Sequence, residues 1–313
     1  MTAAPHSRRT RPRLAAVALV VCLGAVSACA GLSTPSTTTM PQGATAANPV
    51  VPPKSDAADL EKLSTHRSAP VYWLGERDAT VYLYREYVEA EDQGDPITTS
   101  IKHMLEHQPT DPDYFSLWSP ASRIGTSIDG DNVITVDLSA DAFARQMDAG
   151  LAERAVQQLV YTATGAAANA GLLTGSAPAR VAVLVDGRPG YEAFGHVRLD
   201  GATERDSSLR APVWIIEPHH GGAYAAGDVA VRGAGAAFPG GIRWEVRQVQ
   251  DGESGDVVSD GRITLGAGDL PADEFEFAVG LGEGDYDVSV WGQNGVDTTR
   301  LSEDTKRITV AGG

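Results

Sequence analysis

Cysteine is nearly absent from this chain of 313 residues, and basic residues are scarce. Its two cysteines, Cys22 and Cys29, both lie within residues 20–31. We therefore expect no disulfide in the rest of the chain, so a packed core must stabilise any fold there. Lysine and arginine number 25 against 41 aspartates and glutamates, which gives a net charge of −16. A chain this acidic is not expected to bind nucleic acid through bulk electrostatics.

The first 28 residues have the layout of an export signal. Residues 1–13 contain arginines and no acidic residue, and an uncharged, mostly apolar run follows over residues 14–28. This order is typical of a secretory signal peptide, and the run is shorter than the roughly 20 residues that span a bilayer. The small residues before Cys29 resemble a bacterial lipobox, which implies cleavage after residue 28 and a lipid on Cys29. A plain cleaved signal beside a chance cysteine is the alternative.

Residues 29–69 have the composition of a spacer. Proline, threonine, serine and alanine dominate, and large apolar side chains are few. Such a segment buries too little apolar surface to form a packed core. We expect a flexible tether, roughly 35 Å in root-mean-square length, between the lipidated Cys29 and the folded part of the chain.

Residues 70–200 combine strand and helix patterns. The segment PITTSIKHMLEHQP predicts a helix that Thr98 or Thr99 caps, and Asp129-Gly130 predicts a hairpin turn. A second helix is expected to end at Gly165 and the small residues after it. Further strand patterns are VYWL at 71–74, TVYLYREYV at 80–88 and a buried strand at 181–185. We therefore expect an α+β module in which helices pack on a small mixed sheet.

Residues 211–311 contain seven short strand patterns divided by glycine, proline and aspartate. Charged residues alternate with Ile242, Trp244 and Val246 in one segment, and with Phe275 and Phe277 in another. This period of two, interrupted by frequent turns, favours an antiparallel β-sandwich. Its aromatic and valine side chains must supply the core, because no cysteine is present to bridge the sheets.

One short segment matches a metalloenzyme pattern. His103-x-x-Glu-His107 is the inverted zincin signature, in which two helical histidines bind zinc. At about 100° per residue, both histidines lie opposite the apolar face of Ile101, Met104 and Leu105. A catalytic zinc needs a sheltered cavity with supporting partners. We therefore predict two exposed histidines, no metal site, no catalytic residue and no cofactor.

Several segments of residues 70–200 resemble the GerMN domain, a module of sporulation and spore-germination proteins that occurs in many exported lipoproteins. Residues 211–311 resemble the immunoglobulin-like domain that accompanies GerMN in bacterial spore-germination proteins. The resemblance implies an α+β fold followed by an immunoglobulin-like β-sandwich, and a non-enzymatic role in protein interaction. The matching segments are TVYLYRE, IKHMLEH, VITVDLSADAF, AVQQLVYTAT and RVAVLVDGRP in the first part, and VWIIEPHHGG, DVAVRGAGAAF, IRWEVR and DYDVSVWGQNGVD in the second.

The sequence supports one main hypothesis on function and two alternatives. The main hypothesis is a scaffolding lipoprotein that a lipid on Cys29 holds on the outer face of the cytoplasmic membrane, where the α+β module binds an envelope protein. The first alternative is binding of cell-wall polysaccharide through the sandwich or through an aromatic loop that contains Tyr114, Phe115 and Trp118. The second is a metal-dependent hydrolase that uses the His103–His107 pair.

Overall fold

A computed structural model describes residues 67–312, except Asp269 and Asp297. The expected signal peptide, the lipid site at Cys29 and nearly all of the predicted tether lie outside the described residues. In the described part, every helix is too short or too polar to cross a bilayer.

A long antiparallel hairpin begins the described chain. Strand β1 (Arg67–Arg77) pairs with β2 (Thr80–Ala90) along its whole length, and the short β3 (Tyr114–Phe115) pairs with the other edge of β1. The two turn residues, Asp78 and Ala79, both have left-handed backbone angles, with φ of 52° and 60°. This is the combination that a two-residue hairpin with native twist requires.

The first helix, α1 (Pro96–Glu106), begins earlier than the sequence suggests. Its cap is Asp95, whose carboxylate accepts the backbone N–H of Thr98 at 2.7 Å, so the expected cap at Thr98 or Thr99 is wrong. Pro96 occupies the first helical position, where its missing N–H costs no hydrogen bond. The apolar face of α1 buries Ile101, as the spacing predicts.

The second helix, α2 (Ala149–Asn169), continues through the residue that was expected to end it. Gly165 lies inside α2, where a Cβ atom would be 3.3 Å from the ring of Tyr72. Glycine at this position allows helix and hairpin to approach closely, and the helix ends instead at Asn169, two residues before Gly171, where φ is +67°. The local pattern alone cannot distinguish these two uses of glycine.

A second sheet lies in the same module, in the order β4-β5-β6-β9. Its first pair is the hairpin predicted at Asp129-Gly130, and α2 forms the crossover between the parallel strands β5 and β6. A small hairpin, β7–β8, follows β6. The strands are β4 (Ile124–Ile128), β5 (Val133–Leu138), β6 (Arg180–Val185), β7 (Tyr191–Ala193), β8 (Val197–Leu199) and β9 (Ala202–Thr203).

The second module is a sandwich of two sheets, with strand orders β10-β12-β15 and β11-β17-β16-β13-β14. One apolar cluster, which includes Val213, Phe275, Ile242 and Val288, lies between them. All seven predicted strands are present, and the pattern missed the short β11, which pairs parallel with β17. The expected fold class, an α+β module followed by an immunoglobulin-like sandwich, is confirmed. The strands are β10 (Val213–Glu217), β11 (Ala223–Ala225), β12 (Gly227–Gly235), β13 (Ile242–Gln250), β14 (Glu253–Ile263), β15 (Glu274–Leu281), β16 (Gly284–Gln293) and β17 (Arg300–Ala311).

Candidate functional site at the junction of the two modules

The last strand, β17, carries buried charge where it meets the α+β module. Alternate residues of β17 share one face, and on that face the apolar Ile308 and Val310 lie in the sandwich core. The same row continues through Lys306 and Asp304, which are also buried. One face of β17 is therefore apolar toward its end and charged before it. The buried charged half needs polar partners, because burial of an unpaired charge is costly.

Residues of the α+β module supply that partner. The ammonium group of Lys306 donates to the carboxylate of Asp111, to the hydroxyl of Tyr114 at 2.7 Å and to Asp304 at 3.4 Å. The Tyr114 hydroxyl in turn donates to Asp304 at 2.9 Å. The backbone N–H of Ile215 donates to the second oxygen of Asp304 at 2.8 Å. All three donors of the lysine are thereby satisfied, as a buried ammonium group requires.

The burial of this cluster changes its titration. Burial raises the pKa of the Tyr114 hydroxyl well above its usual range, and the neighbouring carboxylates of Asp304 and Asp111 add to the effect. Burial also raises the pKa of Glu86, although this carboxylate accepts the backbone N–H groups of Thr110 and Asp111, both at 3.0 Å. Tyr114 is therefore a neutral hydrogen-bonding group at any physiological pH.

The turn of the first hairpin also contacts the sandwich. The Asp78 carboxylate accepts the backbone N–H of Ser302 at 2.8 Å, and Arg77 donates to the carbonyl of Glu303 at 2.8 Å. At another point of the junction, Arg85 lies 3.5 Å from Glu274. The first hairpin is thus connected by polar contacts to β17 through Arg77 and Asp78, and to β15 through Arg85.

The segment between the modules is held in place as well. The guanidinium of Arg205 lies 4.7 Å from the ring centre of Tyr161 and donates to the Thr164 hydroxyl at 2.6 Å. Tyr161 donates to the carbonyl of Asp206 at 3.0 Å. The N–H of Ala211 then donates to the carbonyl of Leu83 at 3.0 Å. This connection is packed against α2 and β2, so the modules meet through a continuous set of contacts.

The aromatic segment that the sequence suggested as an interaction loop lies mostly inside the molecule. Tyr114 and Trp118 are only 5% and 3% exposed, and Phe115 is half-buried. Tyr114 stacks on Tyr84 at 4.5 Å beside Gly75, where a Cβ atom would be 2.8 Å from the Tyr84 ring. Pairing of β3 with β1 draws the segment onto the sheet, so the buried Tyr114 and Trp118 do not lie on an extended loop. The glycine within β1 was the available signal of this close approach.

The two histidines of the zincin-like pattern stack on each other. Their ring centres are 4.3 Å apart, and His103 also contacts the edge of Trp73 at 6.2 Å. His107 is exposed as expected, whereas His103 is half-buried. Burial and the neighbouring His107 lower the pKa of His103 to about 4. Among the described residues, no cluster of three His, Cys, Asp or Glu side chains is placed to hold a metal ion.

Two concave regions lie along the junction. One, of about 470 Å³, is lined by Arg85 and Glu274 among others, and the second, of about 530 Å³, is lined by His103 and His107. Residues of both modules contribute to each region, and Ser68 and Tyr87 line both. The charged groups inside the junction are engaged with one another. The arrangement therefore offers a fixed surface for binding, and its buried groups hold the modules together.

One family model matches most of the first module. Residues 70–191 match the Germane family model, which is described as sporulation and spore germination. The match confirms the resemblance of this part of the chain to the GerMN domain. No curated protein sequence matches the chain.

Solved structures that resemble the chain do so at low identity. The tandem GerMN domains of the sporulation protein GerM from Bacillus subtilis match at 17% identity over 47% of this chain and 48% of that chain, with a TM-score of 0.34. The first GerMN domain of the same protein matches at 10% identity over 45% and 98%, with a TM-score of 0.33. A marsupial T cell receptor matches at 17% identity over 36% and 39%, with a TM-score of 0.24. The chain spans about half the length of the tandem GerM structure.

Proposed function

We propose, from the GerMN-type module at residues 70–191, that this chain is a non-enzymatic scaffolding lipoprotein of the cell envelope. In this proposal a lipid on Cys29 holds the chain on the outer face of the cytoplasmic membrane. The α+β module and the sandwich act as one body that binds an envelope protein. The family that matches is described by sporulation and spore germination and not by a catalytic activity.

The observation that carries the proposal is the buried charge cluster at the junction. Lys306 and Asp304 belong to the sandwich, and Asp111 and Tyr114 belong to the α+β module. Each group is buried and finds its partners across the junction. Separation of the modules would break the contacts that Lys306 and Asp304 make with Asp111 and Tyr114, so the cluster favours one arrangement of the two modules. A scaffold needs surfaces held at a constant spacing, and this junction supplies that property.

The partner is expected to bind along the junction. Both concave regions there combine residues from the two modules, and Ser68 and Tyr87 line both. Ser68 lies near the start of β1, at the end of the segment predicted as a tether (29–69), so a bound partner would contact the part of the folded chain that directly follows the tether. The exposed Gln108 lines the larger region and serves to report on it.

The proposal is tested by photo-crosslinking in intact cells. A photoreactive amino acid is placed at Gln108 in the full chain, and a control chain carries it at Val258, which is exposed on strand β14. We expect one envelope protein to crosslink at Gln108 in near-stoichiometric amount and not at Val258. Equal crosslinking at both positions, or none at Gln108, would contradict a partner at the junction.

Point variants are preferable here to removal of a module. A chain without residues 70–199 would lose Asp111 and Tyr114 and leave Lys306 and Asp304 unpaired, so a lost interaction could reflect misfolding. The lipid anchor is tested separately with Cys29→Ala. The unchanged chain should fractionate with membranes and carry the added mass of a lipid, and the variant should do neither. An unchanged chain without added mass would contradict lipidation.

A further inference from the structure

A further concave surface lies within the α+β module, away from the junction. It has a volume of about 430 Å³ and is formed by the segment before α2, at residues 143–147, and by the β7–β8 hairpin, at residues 191–196. Its lining residues are distinct from those of the two junction regions. A concave surface of this volume falls within the range of about 300–1,000 Å³ that is common for small-ligand sites.

The floor of this surface is an aromatic cluster. The rings of Trp118, Phe143 and Phe194 lie with their centres 5.0–5.3 Å apart, and all three side chains are buried. The ring of Tyr191 packs on that of Phe143 with their centres 5.1 Å apart, yet the residue is 37% exposed. The cluster therefore presents one partly exposed aromatic residue, Tyr191, whose ring packs on the buried Phe143.

The hairpin that carries Tyr191 is held in a strained conformation. Phe194 has a left-handed backbone with φ of 52°, and Gly195 follows at 76°. The N–H of His196 donates to the carbonyl of Ala193 at 3.0 Å, which closes the turn. A bulky residue in this conformation is strained, and packing of the Phe194 ring in the cluster offsets the strain.

A further contact connects the two sides of the surface. The Nε2 atom of His196 donates to the carbonyl of Met147 at 2.8 Å. The hairpin and the segment before α2 are therefore fixed relative to each other before any ligand arrives. A site that is ordered in advance binds without the entropic cost of ordering its loops.

Polar side chains surround the exposed ring. Arg145, Gln146 and Glu192 are all exposed and line the surface. The positive charge of Arg145 and the negative charge of Glu192 balance, so a neutral ligand fits this surface better than a charged one. The apolar part of the cluster is buried, which leaves no deep hydrophobic pocket of the kind that anchors an apolar peptide side chain.

We propose that this surface, the Tyr191 site, binds a neutral saccharide. A pyranose ring presents a face of C–H groups that stacks on a single aromatic ring, and its hydroxyl groups lie at the rim. There the guanidinium, amide and carboxylate of Arg145, Gln146 and Glu192 are suited to bind them, as donors and acceptors. This assignment goes beyond the scaffolding role and uses residues that the junction does not.

The test is direct binding to the full chain in a detergent without sugar groups. The probes are a β-1,4-linked tetrasaccharide of N-acetylglucosamine, cellotetraose and the capped peptide acetyl-Ala-Leu-Ala-Leu-amide, followed by ligand-observed NMR and calorimetry. We expect at least one tetrasaccharide to bind and the peptide not to bind. Binding of the peptide alone, or of no tetrasaccharide, would overturn the assignment.

Variants locate the binding. Tyr191→Ala should weaken saccharide binding about tenfold, in line with the loss of one stacking contact, and Tyr191→Phe should keep it. Gln146→Ala, which removes an exposed side chain, should weaken it independently of any effect on folding. Leu172→Ala is the matched control, because Leu172 is also 37% exposed in the same module. Saccharide binding that survives both Tyr191→Ala and Gln146→Ala would place the ligand elsewhere and refute the site.

Discussion

Replacement of Lys306 by methionine is the most informative test of the junction. Lys306 is buried together with Asp111 and Asp304, and its ammonium group contacts both carboxylates. Methionine keeps most of the side-chain volume and removes the positive charge. Two buried carboxylates then face each other without a counter-charge, and Tyr114 loses its lysine donor.

The expected loss is about 3–5 kcal/mol of unfolding free energy, the usual cost of removing one partner of a buried ion pair. With a urea slope near 3 kcal/mol per M, the unfolding midpoint should fall by about 1–2 M. The unchanged chain should unfold in one transition, because its modules share the junction. The variant should show two transitions, since the modules lose their main connection.

The assay is urea unfolding followed by far-ultraviolet circular dichroism and tryptophan fluorescence. The control is Arg123→Met, which breaks pairs to Asp137 and Asp186 on a side chain that is 53% exposed. It should cost under about 1 kcal/mol. The double variant Lys306→Met with Asp111→Asn should recover part of the loss, because one stranded charge is gone. A single-variant loss below about 1 kcal/mol, similar to the control, would refute the argument that buried charge couples the modules.

Three further outcomes follow from the structure. Gly233→Ala should lower the unfolding free energy of the sandwich by about 1–3 kcal/mol in urea unfolding, because the new Cβ would lie 2.2 Å from the Phe275 ring. The control is Gly280→Ala, whose Cβ meets only ordinary contacts and which should be nearly neutral. An equal loss in both variants would contradict the argument from close packing at Gly233. The pKa of His103 is lowered from 6.5 to about 4 in the folded chain. Between pH 6.5 and pH 4 the unfolded chain therefore binds a proton on this histidine that the folded chain does not bind. The unfolding free energy should consequently fall as the pH drops from 6.5 toward 4. His103→Gln should reduce that fall between pH 7 and pH 5 in denaturant titrations, and an unchanged pH dependence would count against the assignment. Asp95→Ala should cost about 1–2 kcal/mol in thermal or urea unfolding through loss of the α1 cap, whereas no measurable change would show that the cap is dispensable.

The fold was largely accessible from the sequence because its signals are local. Period-two alternation identified the strands of the sandwich, and Asp129-Gly130 identified a hairpin, since both depend on a few neighbouring residues. The errors occurred where a local signal had two meanings. Gly165 could end a helix or allow close packing, and Asp95 and Thr98 were both chemically suitable caps. The resemblance to the GerMN domain likewise rests on short segments, and the family match at residues 70–191 confirms it.

The sequence by itself determined the order of the two modules and the class of each, because hydrophobic periodicity and turn residues act over short distances. Only the tertiary structure decided which side chains meet. Lys306 and Asp111 are 195 positions apart, and nothing in their local sequence indicates the contact. The same holds for the aromatic residues, where pairing of β3 with β1 buries Tyr114 and Trp118 while the strained β7–β8 hairpin exposes Tyr191. Burial depends on which faces pack together, and that is a property of the assembled fold.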